Sequence, residues 1–385
     1  MKRREGHGWK AMPLLRIAAW VLGLVLATFT ATTAQAYPQF VFKGYGDCGS
    51  CHHSPTGGGL ANRWGLESLD VSFGADSGPG WGNQALTAEA ANPYQLKVDL
   101  GLDIRLLPIF GSDGDGSLGP TVIPMLAEMG GAAAVGPWMF YGTITGKKLE
   151  GTGTPYVLAS REHWLKYQAS PKLDVRLGRM VLPFGIRQPD HTQYVREDFE
   201  FDKYDQSYGL EVDFRGAQWS LFGNVFAGDL TGRPKERQER GAVLTVSRQL
   251  GEDGAAIGLS ALGSTSTARS RFAGSLFGRV PLATSAYALA EVAAQHFAAQ
   301  EGDDTLATLA EYLRVGWFVR PQMDLYLEAG NRSLLNADGL TKTRAGLGLN
   351  WQVLRWFEFA PQLFAEARSN LPARVVALAQ LHLIY

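Results

Sequence analysis

Cysteine is nearly absent from this chain: Cys48 and Cys51 are the only two in 385 residues. That excludes a scaffold held by several disulfides, because a two-residue spacer closes only a small strained ring of the kind found in redox motifs. A charge excess is missing as well, with 36 Lys and Arg against 37 Asp and Glu. Without the first 36 residues the balance becomes 31 basic against 36 acidic, a net charge of about −5, which offers nucleic acid no basic field. The apolar stretch from Ile17 to Thr30 is too short to cross a bilayer comfortably as a helix.

That stretch belongs to an export signal. Lys2, Arg3, Arg4, Lys10 and Arg16 make a basic start, and Ala34-Gln35-Ala36 supplies a small-residue cleavage site before Tyr37. Residues 1–36 therefore read as a cleaved signal peptide. Two further regions follow, 37–93 and 94–385.

The first of these carries the two cysteines, in the run Cys48-Gly49-Ser50-Cys51-His52-His53. A C-x-x-C-H run is the attachment signature of a c-type haem: both thiols add to vinyl groups, and the adjoining imidazole becomes the proximal iron ligand. Cys48 and Cys51 are then the covalent anchors and His52 the axial ligand. A thioredoxin-like dithiol would need a βαβ setting, which does not surround the motif, and a zinc site lacks its second pair of ligands. Turn-rich runs such as His53-Ser54-Pro55-Thr56-Gly57-Gly58-Gly59 make 37–93 a poor independent core, too small to shield a porphyrin alone.

From Tyr94 onward the pattern is alternation. Leu96, Val98, Leu100, Leu102, Ile104 and Leu106 interleave with Lys97, Asp99, Gly101, Asp103 and Arg105, a period of two that turns one face to an apolar medium and the other to water. About 16 such segments follow: 95–109, 121–135, 137–148, 156–169, 172–182, 206–215, 217–229, 239–249, 254–264, 267–280, 284–299, 305–318, 321–332, 341–352, 356–368 and 372–385. Short connections at Gly136-Pro137, Ser170-Pro171, Gly216 and Arg320-Pro321 alternate with longer linkers at 110–120, 183–205, 230–238 and 333–340. The fold class is all-β, an antiparallel transmembrane barrel with short turns and the C-terminus at the periplasm. The last strand, with Leu381, Leu383 and Tyr385, resembles the assembly signal of outer-membrane proteins. A mean hydropathy of −0.09 and 46 glycines leave a soluble exported all-β protein as the bland alternative. The wide lumen of a 16-stranded barrel suggests that the haem-bearing segment tucks into its periplasmic mouth as a plug.

The signal peptide, the single CGSCH site followed by Ser-Pro-Thr-Gly-Gly-Gly-Leu, and a porin-sized barrel together resemble the fused outer-membrane monohaem cytochrome-porins, of which iron-oxidising outer-membrane cytochromes are the best-known kind. The resemblance implies one covalently bound haem c and electron passage across the outer membrane. Partners would be membrane lipid, a periplasmic cytochrome or other carrier, and an extracellular donor or acceptor such as iron. It also implies an electron-transfer protein, with an iron(II) oxidase as the enzymatic form. Two other classes remain open: a diffusion porin with a haem-bearing structural or regulatory plug, and a haem enzyme or gas sensor with an open iron position.

His53 adjoins the proximal ligand and cannot reach the opposite haem face. His191 is the first candidate for the distal position, because it lies in the long third outer linker, and the equivalent loop of 16-stranded porins folds inward. His382 is the alternative, on the lumen face of the last strand by parity. His163 and His296 fall on outward faces. Met125, Met129, Met139 and Met180 are thioether candidates, which would raise the haem potential. Glu197, Asp198, Glu200, Asp202 and Asp205 form an acidic run beyond His191 that suits a hard cation such as iron, or simply a solvated face.

Overall fold

The computed structural model describes residues 48–62, 64–65, 86–89, 96–112, 117–147, 157–187, 192–201, 206–228, 238–251, 253–300, 305–336, 340–354, 356–369 and 371–384. The proposed leader, His191, Asp202, Asp205 and the terminal Tyr385 lie outside the described residues.

The strands are β1 Leu86–Glu89, β2 Lys97–Ser112, β3 Ser117–Val135, β4 Trp138–Lys147, β5 Val157–Ala159, β6 His163–Ser170, β7 Leu173–Val181, β8 Gln206–Arg215 and β9 Trp219–Phe226. They continue as β10 Arg240–Gln249, β11 Ala256–Thr265, β12 Arg269–Ala283, β13 Ala286–Ala299, β14 Thr305–Arg320, β15 Met323–Leu334, β16 Thr341–Leu354, β17 Phe357–Arg368 and β18 Leu371–Ile384. Consecutive strands pair antiparallel, and β18 returns to β2, with Leu383 opposite Ile104 and Val375 opposite Ser112. The sheet is closed, so it leaves no edge along the barrel. Both β5 and β6 pair with β4 and form a single interrupted stave, while β1 pairs with the start of β2. The barrel therefore has 16 staves, and each coincides with one of the alternating segments in the sequence.

Alternation is what makes these segments strands. On β2, Leu100, Leu102, Leu106 and Phe110 face outward, while Asp99 and Asp103 point inward to protein partners. Apolar side chains cover the outer face around the barrel, Val122, Val225, Leu259 and Phe272 among them, each more than 60% exposed. Such a surface cannot remain in water and fits the hydrocarbon of a bilayer. Aromatic side chains ring the short-turn end: Trp138 lies 4.6 Å from Tyr167, with Trp219 and Trp317 at other staves. This is the girdle expected where lipid meets water. Among the described residues no helix is long and apolar enough to cross a membrane, and the strands do the crossing.

The lumen holds chain as well as wall. After β7 the chain turns inward: Leu182, Phe184, Ile186, Tyr194, Val195, Phe199 and Phe201 pack on inward side chains of the far wall, including Val243, Leu262, Tyr287, Leu289 and Tyr312. A one-turn helix, α1 Tyr194–Glu197, lies in this segment. The wall feeds its backbone: Thr245 donates to the Pro183 carbonyl at 2.7 Å, and Glu291 accepts from the Ile186 amide at 2.9 Å. The third long linker thus folds into the barrel.

Candidate functional site

The C-x-x-C-H run opens a compact hairpin. Cys48–Ser50 forms a single 3-10 turn, and the His52 amide donates to the Cys48 carbonyl at 3.0 Å, so both cysteines and the imidazole emerge from one turn. His52 then bridges antiparallel to Ala61, and the Asn62 amide donates to the Cys51 carbonyl at 2.9 Å. The Asn62 side chain closes the turn from below, its Nδ2 donating to the Ser50 carbonyl at 3.1 Å. Gly57, Gly58 and Gly59, with φ of 81°, 72° and 63°, make the bend between the two arms. Side chains avoid this left-handed region, which accounts for three consecutive glycines.

This hairpin lies against the inner wall formed by β2 to β7. The Leu60 amide donates to the Tyr141 hydroxyl on β4 at 3.1 Å, and the Leu60 side chain packs on the cluster of Ala132, Tyr141, Trp164 and Met180. Tyr141 stacks on Trp164 of β6 at 4.7 Å, and Arg176 of β7 covers the indole at 5.2 Å while donating to the Ser54 hydroxyl at 3.1 Å. His53 is buried, its Nε2 3.0 Å from Asp99 on β2, an ion-pair distance. From the inward loop, Arg187 donates to the Thr56 hydroxyl at 2.7 Å. The contacted wall positions lie in the half of the barrel toward the short turns, the half that also holds the start of β2.

Beside this site the ladder is interrupted between β5 and β6. Arg179 donates to the carbonyls of Ser160 and Arg161, while the Thr143 hydroxyl accepts from the amides of Arg161 and Glu162 at 3.2 and 3.1 Å. The backbone groups that leave the ladder are thereby satisfied. Glu162 is turned inward, 4.0 Å from Arg187.

The donor set suits a covalently held haem. Cys48 and Cys51 both carry thiols. A Cβ at position 57 would stand 2.9 Å from the Cys48 Cβ and 3.2 Å from its sulfur, so glycine leaves that thiol its space. The His52 Nδ1 is buried without a hydrogen-bond partner among the described residues. Burial, and then the charge of Arg187, lower the His52 pKa to about 4, which keeps the imidazole in the neutral form that ligates iron.

The other sequence candidates are distributed as follows. His382 points into the lumen, with Nδ1 3.1 Å from Glu358 and Nε2 3.0 Å from Asp103, so both ring nitrogens already face carboxylates. His191 falls outside the described residues; elsewhere in the same linker Arg187 meets the hairpin, and Thr192 accepts from Arg344 across the lumen at 2.9 Å. His163 and His296 are on the outer face by strand parity. Met129 is 57% exposed on that face, Met180 is buried beside Leu60, and Met139 packs against the same cluster. Of the acidic run, Asp198 is held by Arg332 and Lys342 and Glu200 by Arg269, and Glu197 sits in α1. Among the described residues no group of three or more His, Cys, Asp or Glu converges on a cation position. Sequence reasoning passed over Asn62, Tyr141, Arg176 and Arg187. Only Arg187 had a signal, its place in the same linker as His191.

No family model matches the chain, and no curated protein does. Among solved structures the fold is similar to OmpT, an outer-membrane protein of Vibrio cholerae, at a TM-score of 0.60 and 10% identity over 78% of this chain and 100% of that one. It is similar to an anion-selective porin from Comamonas acidovorans (TM-score 0.57, 9% identity, 75% of this chain and 100% of that one). It also resembles the outer-membrane channel DcaP of Acinetobacter baumannii (TM-score 0.53, 13% identity, 77% and 99%). At these identities the likeness is one of fold. The class is thus a 16-stranded porin-like barrel whose lumen receives both an inward loop and a cysteine-bearing hairpin.

Proposed function

We propose that the protein is an outer-membrane c-type cytochrome-porin that carries electrons across the membrane through one haem. Cys48 and Cys51 would hold the porphyrin by thioethers, and His52 and, from the linker after β7, His191 would ligate its iron. The bound group supplies one-electron chemistry, and the protein supplies ligation, a shielded site and access from both ends. The single observation that carries the reading is the docking of the C-x-x-C-H hairpin on the inner wall of a closed barrel, at Asp99, Tyr141 and Arg176. A redox centre on a tail outside the barrel would have no path through the apolar band, roughly 25 Å tall. The short-turn end faces the periplasm and a carrier there, and ferrous iron or another external donor meets the loop end.

The test is reconstitution in vesicles with a trapped acceptor and ferrous iron outside. Electron passage in the wild type and its loss in Cys51→Ala support the conduit. Equal rates in both would remove it.

A diffusion porin with a haem-bearing plug is the second reading, favoured by the likeness to porins and by the charged inner wall. Reconstituted protein that passes ions freely, and shows no electron passage, would select it.

A further inference from the structure

Besides His53, which faces Asp99 at 3.0 Å, two arginines bear on the His52 imidazole, and their surroundings differ. Arg105 is gripped by Asp103 on its own strand, Nε to Oδ1 at 2.9 Å and Nη2 to Oδ2 at 2.7 Å, so that pair presents little net charge. Among the described residues Arg187 has no such grip. Its Nη1 donates to the neutral Thr56 hydroxyl at 2.7 Å, and the carboxylate in ion-pair contact with it, Glu162, stands off at 4.0 Å. The guanidinium also rests on Gly58, where a Cβ would come within 2.8 Å of Nη2. Thr56 and Gly58 belong to the cysteine hairpin, whereas Arg187 comes from the loop that reaches in after β7. One side chain therefore joins the two lumen segments and leaves most of its charge uncancelled beside the iron ligand.

We propose that Arg187 sets the reduction potential of the haem carried by Cys48, Cys51 and His52. The inference rests on the haem reading above. Ferric haem carries one more positive charge than ferrous, so a nearby cation favours the ferrous form and raises the potential. The sign is the same if the guanidinium acts by neutralising a haem propionate, for which its planar fork is suited. Arg187 is a positioning and tuning residue, since its neighbours are Thr56, Gly58 and Glu162 rather than iron.

The experiment uses the full-length purified protein in detergent and first records its pyridine haemochrome band. A wild type without a c-type band would end the haem reading itself, before Arg187 is in question. With the band present, spectroelectrochemical titration of three variants follows. Arg187→Gln should keep the haem and lower the midpoint potential, by a shift equal to a tenfold change in the ferrous to ferric ratio, about 59 mV for one electron. Arg187→Lys should recover most of it. Glu162→Gln, which removes the partial counter-charge, should move the potential upward. A merely structural role would not produce opposite signs in Arg187→Gln and Glu162→Gln. An unchanged potential in Arg187→Gln, or a shift of the same sign in both, overturns the proposal. If Arg187→Gln does not fold, Glu162→Gln decides: a rise supports the assignment, and no change or a fall overturns it.

Discussion

Arg176 donates from Nη1 to the hydroxyl of Ser54 at 3.1 Å, tying the barrel wall to the residue two places beyond His52. The same guanidinium is fully buried, ion-paired to Glu211 and 3.4 Å from Asp213. These two roles differ in energy. Ser54→Ala deletes two hydrogen bonds, to Arg176 and to the Thr56 hydroxyl, at a cost of about 1–3 kcal/mol. Arg176→Met leaves two carboxylates buried without their nearest cation, at a cost of about 3–5 kcal/mol. Urea unfolding of the solubilised barrel should separate the two variants clearly, and coincident midpoints would contradict this division of roles.

Gly59 and Tyr141 form a second pair that can be tested against each other. A Cβ at position 59 would lie 2.5 Å from the Tyr141 oxygen, on a backbone with φ of 63°. Gly59→Ala should expel the hairpin from the wall and speed alkylation of Cys48 and Cys51 in protein purified without haem. Adding Tyr141→Phe removes the oxygen and should restore part of the protection, leaving only the backbone strain of about 1–2 kcal/mol. Additive effects of the two substitutions would show that the close contact does not limit docking.

Much of this architecture was legible in the sequence because a barrel strand records its faces directly. Leu100 and Leu102 against Asp99 and Asp103 gave the two sides of β2, and the same alternation gave every stave. What stayed hidden is the set of contacts made across the lumen. Leu60 reaches Tyr141 and Ser54 reaches Arg176 over separations of 81 and 122 residues, and parity says only that each wall residue points inward, not what it meets. The glycine run at 57–59 read as a turn-rich stretch with no core. Its meaning comes from neighbours far along the chain, Arg187 and Tyr141, which occupy the space of the missing side chains.

The barrel wall meets the hairpin at His53, Ser54 and Leu60, through Asp99, Arg176 and Tyr141. Cys51→Ala and His52→Ala should therefore lose the haem band yet still fold into a heat-modifiable barrel on gels. Loss of the folded barrel in either variant would mean that assembly itself requires the attached group.

Acidity should loosen the hairpin in protein without haem. The docked His52 titrates at about 4, below the ordinary 6.5 to which it returns once the hairpin leaves the wall. Between those values the undocked form holds the additional proton, so docking weakens as the pH falls through this window, by at most about tenfold per unit. Above 6.5 and below 4 this contribution is level. Hydrogen exchange at the Leu60 amide, which donates to Tyr141 in the docked form, reads the equilibrium once corrected for its intrinsic pH dependence. His52→Ala should flatten the profile, and a slope that persists there belongs to another group.

The inward loop offers a prediction about permeation. Arg332 donates to Asp198 Oδ1 from Nε and Nη2 at 2.9 and 2.8 Å, Lys342 stands at 3.6 Å, and Arg269 reaches Glu200 at 3.0 Å. Phe199 and Phe201, between and beside these anchors, are buried in the far-wall cluster. Charge and packing can be separated here. Asp198→Asn with Glu200→Gln removes two negative charges and leaves the wall cations exposed to the lumen, so reconstituted protein should conduct more and shift its reversal potential toward anions. Phe199→Ala loosens the same segment without altering charge and should raise conductance while the reversal potential stays where it was. If neither variant changes conductance, the segment after β7 does not border the path that ions take, and the lumen is closed by the hairpin at the opposite wall.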